Sequence, residues 1–138
     1  MVEEEIRKKL DEISANMRKD YSEMLRDLNL HVGQDHLLCR LGEKDGVTQI
    51  QLSESLKCEP PTIVHKVRAL ESYGLIHRQR DELDGRVNRV YLTPKGRAIL
   101  EPIEEVWTRQ QDKLLTGMSA DELLTLKKLL KKMAENIS

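Results

Sequence analysis

Apolar residues at Ile6, Leu10, Ile13, Met17, Tyr21, Met24 and Leu28 recur three or four positions apart. That spacing keeps one face of a helix apolar and predicts a long amphipathic helix over residues 2–28. The stripe is longer than one side of a small domain needs, so part of it is expected to pack on a second chain. Asn29 to Gly33 interrupts the pattern. Leu37, Leu38 and Leu41 then predict a short scaffold helix that stops before the turn pair Asp45-Gly46.

Thr48 and Gln51 have the spacing of a capping box, which predicts a helix over residues 49–56. Pro60 and Pro61 are tolerated only in a first turn, so a second helix starts around them and runs to Tyr73. Gly74 is its natural stop, because glycine enters the left-handed region without a β-carbon clash. Residues 75–80 and 87–92 read as two strands around a polar tip from Asp81 to Arg86. Thr93 as cap and Pro94 in the first turn start another long helix, with Ile99, Leu100, Ile103, Val106 and Trp107 as its apolar side, until Thr116-Gly117 interrupts it. Ser119 with Glu122 repeats the capping-box spacing, and Leu123, Leu126, Leu130, Met133 and Ile137 stripe the last helix. Two helices joined by a short turn and followed by a hairpin make a winged helix-turn-helix. The expected class is mainly α with a small β-hairpin wing, attached to a helical dimerisation platform.

A length of 138 residues suits a single domain. Hydrophobic residues are 38% and charged ones 34%, with no phenylalanine and one tryptophan, which predicts a soluble, helix-leaning protein with a modest core. Dimerisation would add the burial that a lone chain lacks. No apolar run approaches the roughly 20 residues of a membrane span, and the acidic opening Met1 to Glu5 has the wrong charge for a signal peptide. The cytoplasm is the expected location, with no membrane partner, and Cys39 and Cys58 are expected as free thiols.

The formal charge of −1 argues against a generic nucleic-acid binder, so its distribution matters more than its total. Thr48 to Arg97 holds nine Lys/Arg against six Asp/Glu, while the rest of the chain holds fourteen against eighteen. On the second helix of the motif, Ile63, Val67 and Leu70 share one face. Pro61, His65, Arg68 and Ser72 lie opposite, flanked by Thr62 and Ala69. A helix entering a major groove sets its first turns against base edges, so Thr62 and His65 are candidates for base contact and Lys66 and Arg68 for phosphate. The same outward face also fits an ordinary solvated surface. Arg78, Arg80, Arg86 and Arg89 then concentrate guanidinium groups on the wing, where a tip arginine can enter a narrow minor groove. Asp84 would repel phosphate, so its expected task is to hold Arg86 or a neighbouring amide and keep the tip in one shape.

The order of these pieces resembles the MarR (multiple antibiotic resistance regulator) family of winged-helix transcription factors. The resemblance rests on Thr48-Gln49 with Leu52 and Leu56, Glu59-Pro60-Pro61-Thr62 with Val67 and Leu70-Glu71, Gly74-Leu75-Ile76 with Arg78, Asp84-Gly85-Arg86, and Leu92-Thr93-Pro94-Lys95-Gly96. It implies a homodimer built on residues 2–28 and 94–137, with residues 33–93 as a DNA-binding lobe that reads half of a pseudo-palindromic operator in double-stranded DNA. It implies a repressor more than an activator, and a DNA-contact set of Pro61, Thr62, His65, Lys66 and Arg68 on the helix with Asp84, Arg86 and Arg89 on the wing. Two positions depart from the pattern. His65 stands where the family often has arginine, and Lys57-Cys58 stands where it usually has glycine, which implies a strained turn.

Relatives are commonly released from DNA by small anionic or phenolic ligands bound between platform and lobe. Three tyrosines and one tryptophan predict a pocket poor in aromatic rings here. Thiol sensing is a second option, with Cys58 before the recognition helix better placed than Cys39 to disturb docking. Metal sensing through His31 and His36 lacks an obvious carboxylate partner, so no metal or other cofactor is expected. No phosphate loop, nucleophile elbow or paired catalytic carboxylate supports an enzyme. The competing non-enzymatic reading is a winged helix that binds protein, with the wing arginines as surface decoration.

Overall fold

A computed structural model describes residues 1–138, from which seven helices and three short strands emerge. The helices are α1 (Val2–Arg26), α2 (Gln34–Glu43), α3 (Gln49–Leu56), α4 (Pro60–Ser72), α5 (Pro94–Ala98), α6 (Leu100–Leu114) and α7 (Ala120–Ile137). The strands are β1 (Val47–Thr48), β2 (Ile76–Arg80) and β3 (Asn88–Leu92). No helix is long and apolar enough to cross a membrane.

Local chemistry accounts for most boundaries. Thr48 and Ser119 each close a reciprocal capping box, with Gln51 and Glu122, and so start α3 and α7. Pro60 and Pro61 occupy the first turn of α4, and Gly74 at φ 75° ends it. Two boundaries differ from expectation. The helix expected to run on from Thr93 breaks at Ile99 into α5 and α6, because Pro102 has no N–H to donate and its ring would strike the carbonyl of Ala98. The stripe of α1 also overruns its helix, which stops at Arg26 and leaves Leu28 in the turn beyond.

The wing is a three-stranded antiparallel sheet of order β1-β3-β2 and not a simple hairpin. β2 and β3 pair from Ile76 opposite Leu92 to Arg80 opposite Asn88. β1 adds Val47 opposite Val90, a strand too short to show any alternation in sequence. Asp45 secures this added edge. Its carboxylate accepts from the Leu92 amide at 3.0 Å and from Arg97 at 2.6 Å, joining the end of α2, strand β3 and helix α5.

The core lies in the lobe formed by α2 to β3, closed by Leu25 of α1 and by Ile103 and Val106 of α6. Leu37, Leu38, Leu41, Leu52, Ile63, Val67, Leu70 and Val90 are fully buried there. Outside it, Ile6, Leu10 and Ile13 of α1 remain exposed, and α7 buries no residue at all. Leu124 is 67% and Ile137 89% exposed.

Gly96 packs against Leu75 so closely that a β-carbon would overlap the Leu75 carbonyl oxygen, a backbone atom that cannot step aside. Gly96→Ala should therefore destabilise the lobe by about 1–3 kcal/mol, read from urea unfolding at fixed protein concentration. An unchanged midpoint would mean that α5 shifts freely against the β2 entry.

Candidate nucleic-acid interface

Ile63, Val67 and Leu70 are fully buried and set the rotation of α4 about its axis. Pro61, Thr62, His65 and Arg68 are consequently exposed. The side chains of Thr62, His65 and Arg68 make no hydrogen bond within the chain, so their polar groups are free for another molecule. Lys66 is placed differently. It is half-buried, its ammonium 3.9 Å from Cys58 Sγ and crowded against Gly33, so it bridges the turn before α4 and the turn before α2. The phosphate role expected of Lys66 would require its side chain to leave that position.

The wing sorts its arginines into bound and free. Arg78 is held by Glu71 of α4 through its amide, Nε and Nη2, tying α4 to the wing. The side-chain bonds from Arg78 hold the Glu71 carboxyl below its usual range, with burial opposing them. Arg89 donates from Nε to Asp81 at 2.7 Å and from Nη1 to the Gly46 carbonyl at 2.8 Å, which pins β3 to the β1 edge. In this arrangement Arg89 shapes the wing, and any DNA contact would fall to what remains of its guanidinium. Asp84 does what its position suggested. Its Oδ1 accepts from the Arg86 amide at 3.0 Å and from Arg86 Nε at 3.2 Å, while the Arg86 side chain stays 92% exposed.

Two residues outside the expected contact set belong to this surface. Asp81 organises the tip, its Oδ1 accepting from the Leu83 and Asp84 amides while Oδ2 holds Arg89. The Leu83 amide, then Arg89, keep the Asp81 carboxyl below its usual value. Arg80 is exposed and has no partner within the chain. The concentration of arginines on the wing was the signal for Arg80. Asp81 had none beyond its place at the turn.

A second feature lies away from α4. Between α1, α2 and α6 a cleft of about 410 Å³ is lined by Met17, Arg18, Tyr21, His36 and Trp107 among others. Trp107 Nε1 donates to Tyr21 Oη at 2.9 Å and to Asp35 Oδ2 at 3.0 Å. Asp35 is fully buried, and its Oδ1 accepts from the Gly33 amide. His36 stacks on Trp107 with ring centres 5.2 Å apart. The cleft is therefore not poor in rings: the fold gathers the one tryptophan with Tyr21 and His36 from three separate helices.

His31 faces other surroundings, lining a cleft with Arg26 and Lys95, and no group of three or more metal-ligating side chains occurs. Burial, with the carboxylates of Asp35, Glu104 and Glu43 around it, pushes the Cys39 thiol up to about 11. Such a thiol stays protonated and poorly nucleophilic at neutral pH. Cys58 is half-buried beside Lys66.

The family model for the MarR family matches residues 30–87, the span from the turn after α1 to the wing tip. Three solved structures are similar over nearly the whole chain. Streptococcus pneumoniae FabT in complex with DNA is 27% identical, with 97% of this chain and 96% of that chain covered and a TM-score of 0.84. The Staphylococcus aureus MepR–DNA complex is 27% identical over 92% and 94% of the two chains, with a TM-score of 0.83. A mutant of Escherichia coli MarR complexed with operator DNA is 25% identical over 91% of each chain, with a TM-score of 0.79.

Arg86→Ala should weaken duplex binding broadly while leaving the melting temperature unchanged, since an exposed tip arginine supports no core. Equal affinity of variant and parent would remove the wing tip from the interface. His65→Ala should change preference among operator sequences, at about 1–3 kcal/mol for a lost base contact. Equal losses on every sequence would make His65 a phosphate contact instead. The Asp81 carboxyl titrates below its unfolded value of about 3.9, so the tip bonds it makes are complete above that pH and are lost as pH falls through the folded value. The amide resonances of Leu83 and Asp84 should hold steady from about pH 7 to 5 and follow the Asp81 carboxyl with a midpoint below 3.8. A midpoint above that value would mean that Asp81 does not hold the tip.

Proposed function

The chain belongs to the MarR family of winged helix-turn-helix, DNA-binding transcriptional regulators, which are not enzymes, and we propose that it is a cytoplasmic repressor working as a homodimer on a pseudo-palindromic operator. The observation that carries the dimer is the apolar face left on α7, together with Ile6, Leu10 and Ile13 of α1. A lone chain would leave these faces in water, and a second copy would bury them. Two-fold symmetry would then present two α4 helices to half-sites about one helical turn apart. Occupying that site blocks polymerase without any activating surface, which favours repression.

DNA release belongs to the cleft between α1, α2 and α6. An apolar wall with Tyr21 and Trp107, and Arg18 at the side, suits a small aromatic anion. Asp35 connects Trp107 to the Gly33 amide at the start of α2, so a ligand that moves the indole acts directly on the lobe carrying α4. A second reading, control by oxidation of Cys58, is supported by its place in the turn before α4, half-buried and 3.9 Å from Lys66 Nζ, where an oxidised sulfur would disturb docking of the helix. It is tested by whether peroxide abolishes binding in the parent but not in Cys58→Ser.

Selection from a randomised duplex library at two salt concentrations should enrich a palindrome bound more weakly at high salt. Weak, salt-indifferent binding without enrichment would favour a protein-binding winged helix. Sedimentation should give a dimer, and Leu130→Glu should give a folded monomer with at least tenfold weaker operator binding, about 1.4 kcal/mol. A monomeric parent with full affinity would overturn the platform. Benzoate, used as a probe, should quench the single tryptophan in the parent and not in Arg18→Ala; equal response of both would remove Arg18 from the cleft's chemistry.

A further inference from the structure

Lys57 ends α3 at φ 53° and ψ 42°, in the left-handed region where a β-carbon crowds the backbone and where glycine sits freely. The other non-glycine residue at positive φ is Asn29, a type that tolerates it. The turn leaves Lys57 no choice. Cys58 donates from its amide to the Ser53 carbonyl at 3.1 Å, and Ser53 Oγ donates to the Cys58 carbonyl at 2.6 Å, with Ser53 itself buried. Any residue at 57 is forced into the same conformation, and glycine would keep every one of these bonds without the crowding.

The lysine side chain supports nothing in the fold. It is exposed, and its ammonium makes neither a hydrogen bond nor an ion pair, although Glu54 and Glu59 stand close in the chain. It sits on the turn between the two helices of the motif, three residues before α4 and its exposed Pro61 and Thr62. An unpaired point charge there suits a phosphate oxygen, where it adds affinity and register but no sequence information.

We propose that Lys57 is a DNA-backbone contact, its side chain retained at a strained position because its charge engages a phosphate beside the entry of α4. This rests on the reading of the chain as a DNA binder. Parent, Lys57→Gly and Lys57→Arg are compared on the selected operator through a salt series, with thermal melting of each. Lys57→Gly should melt as high as the parent or higher, yet bind more weakly, with the log–log salt slope shallower by about 0.9 for each phosphate contact removed. Lys57→Arg should restore the slope. Unchanged affinity and slope would make Lys57 a solvated charge and overturn the proposal. A loss of affinity with the parent's slope, or no rescue by arginine, would overturn it in favour of turn geometry, and a lower melting temperature would overturn the strain that motivates it. A parent that shows no salt-dependent binding at all would fail the DNA reading itself, and the assignment of Lys57 with it.

Discussion

Three side chains, Ile63, Val67 and Leu70, control what the rest of the lobe can present. They are fully buried against the lobe core, so α4 has one rotational setting in which its apolar stripe is satisfied. Turning the helix by one residue, about 100°, would bring polar side chains into the core at the expense of that stripe. Because the setting is fixed from inside, Thr62, His65 and Arg68 are held outward without any bonds of their own. The Glu71–Arg78 pair then ties the same helix to β2.

The charges of the lobe divide into those that build it and those left available. Asp45 holds Arg97, Asp81 holds Arg89 and Glu71 holds Arg78, and each pair joins two different segments of the lobe. Arg68, Arg80 and Lys57 have no partner, while Asp84 aligns Arg86 without covering it. This division explains how a chain with a net charge of −1 can present a basic surface. Much of the acid serves to hold basic residues in place, and part of the remaining acid lies on other helices, such as Glu101, Glu104, Glu105 and Asp112 of α6.

Incomplete burial is the other organising fact. The lobe has a closed core, but the first half of α1 and most of α7 leave apolar side chains exposed, and α7 buries none of its residues. Helices with such stripes gain most of their stability from packing, so these segments are less secured by their own chain than the lobe is. The cleft around Trp107 lies where these two regimes meet. The buried Asp35 carboxylate couples the α6 indole to the entry of α2, which makes the junction sensitive to anything that displaces the ring.

Local features of the sequence located most elements. Capping boxes at Thr48 and Ser119, prolines at 60 and 61 and glycine at 74 act over a few residues and need no distant partner, so their consequences could be read directly. The stripes identified the core face of α4 for the same reason, and the Asp84-Gly85-Arg86 spacing anticipated the Asp84–Arg86 bonds but not those of Asp81. Strand β1 was not legible, because two residues show no periodicity and exist as a strand only by pairing with β3. The partners of Arg78 and Arg89, the bracing position of Lys66 and the meeting of Tyr21, His36 and Trp107 depend on residues 7 to 86 positions apart in the chain. Sequence by itself determined which groups could bind, through residue type and short-range geometry. Tertiary structure alone decided which of them are already bound, because a guanidinium or an indole is satisfied by whatever the folded chain brings within hydrogen-bond reach.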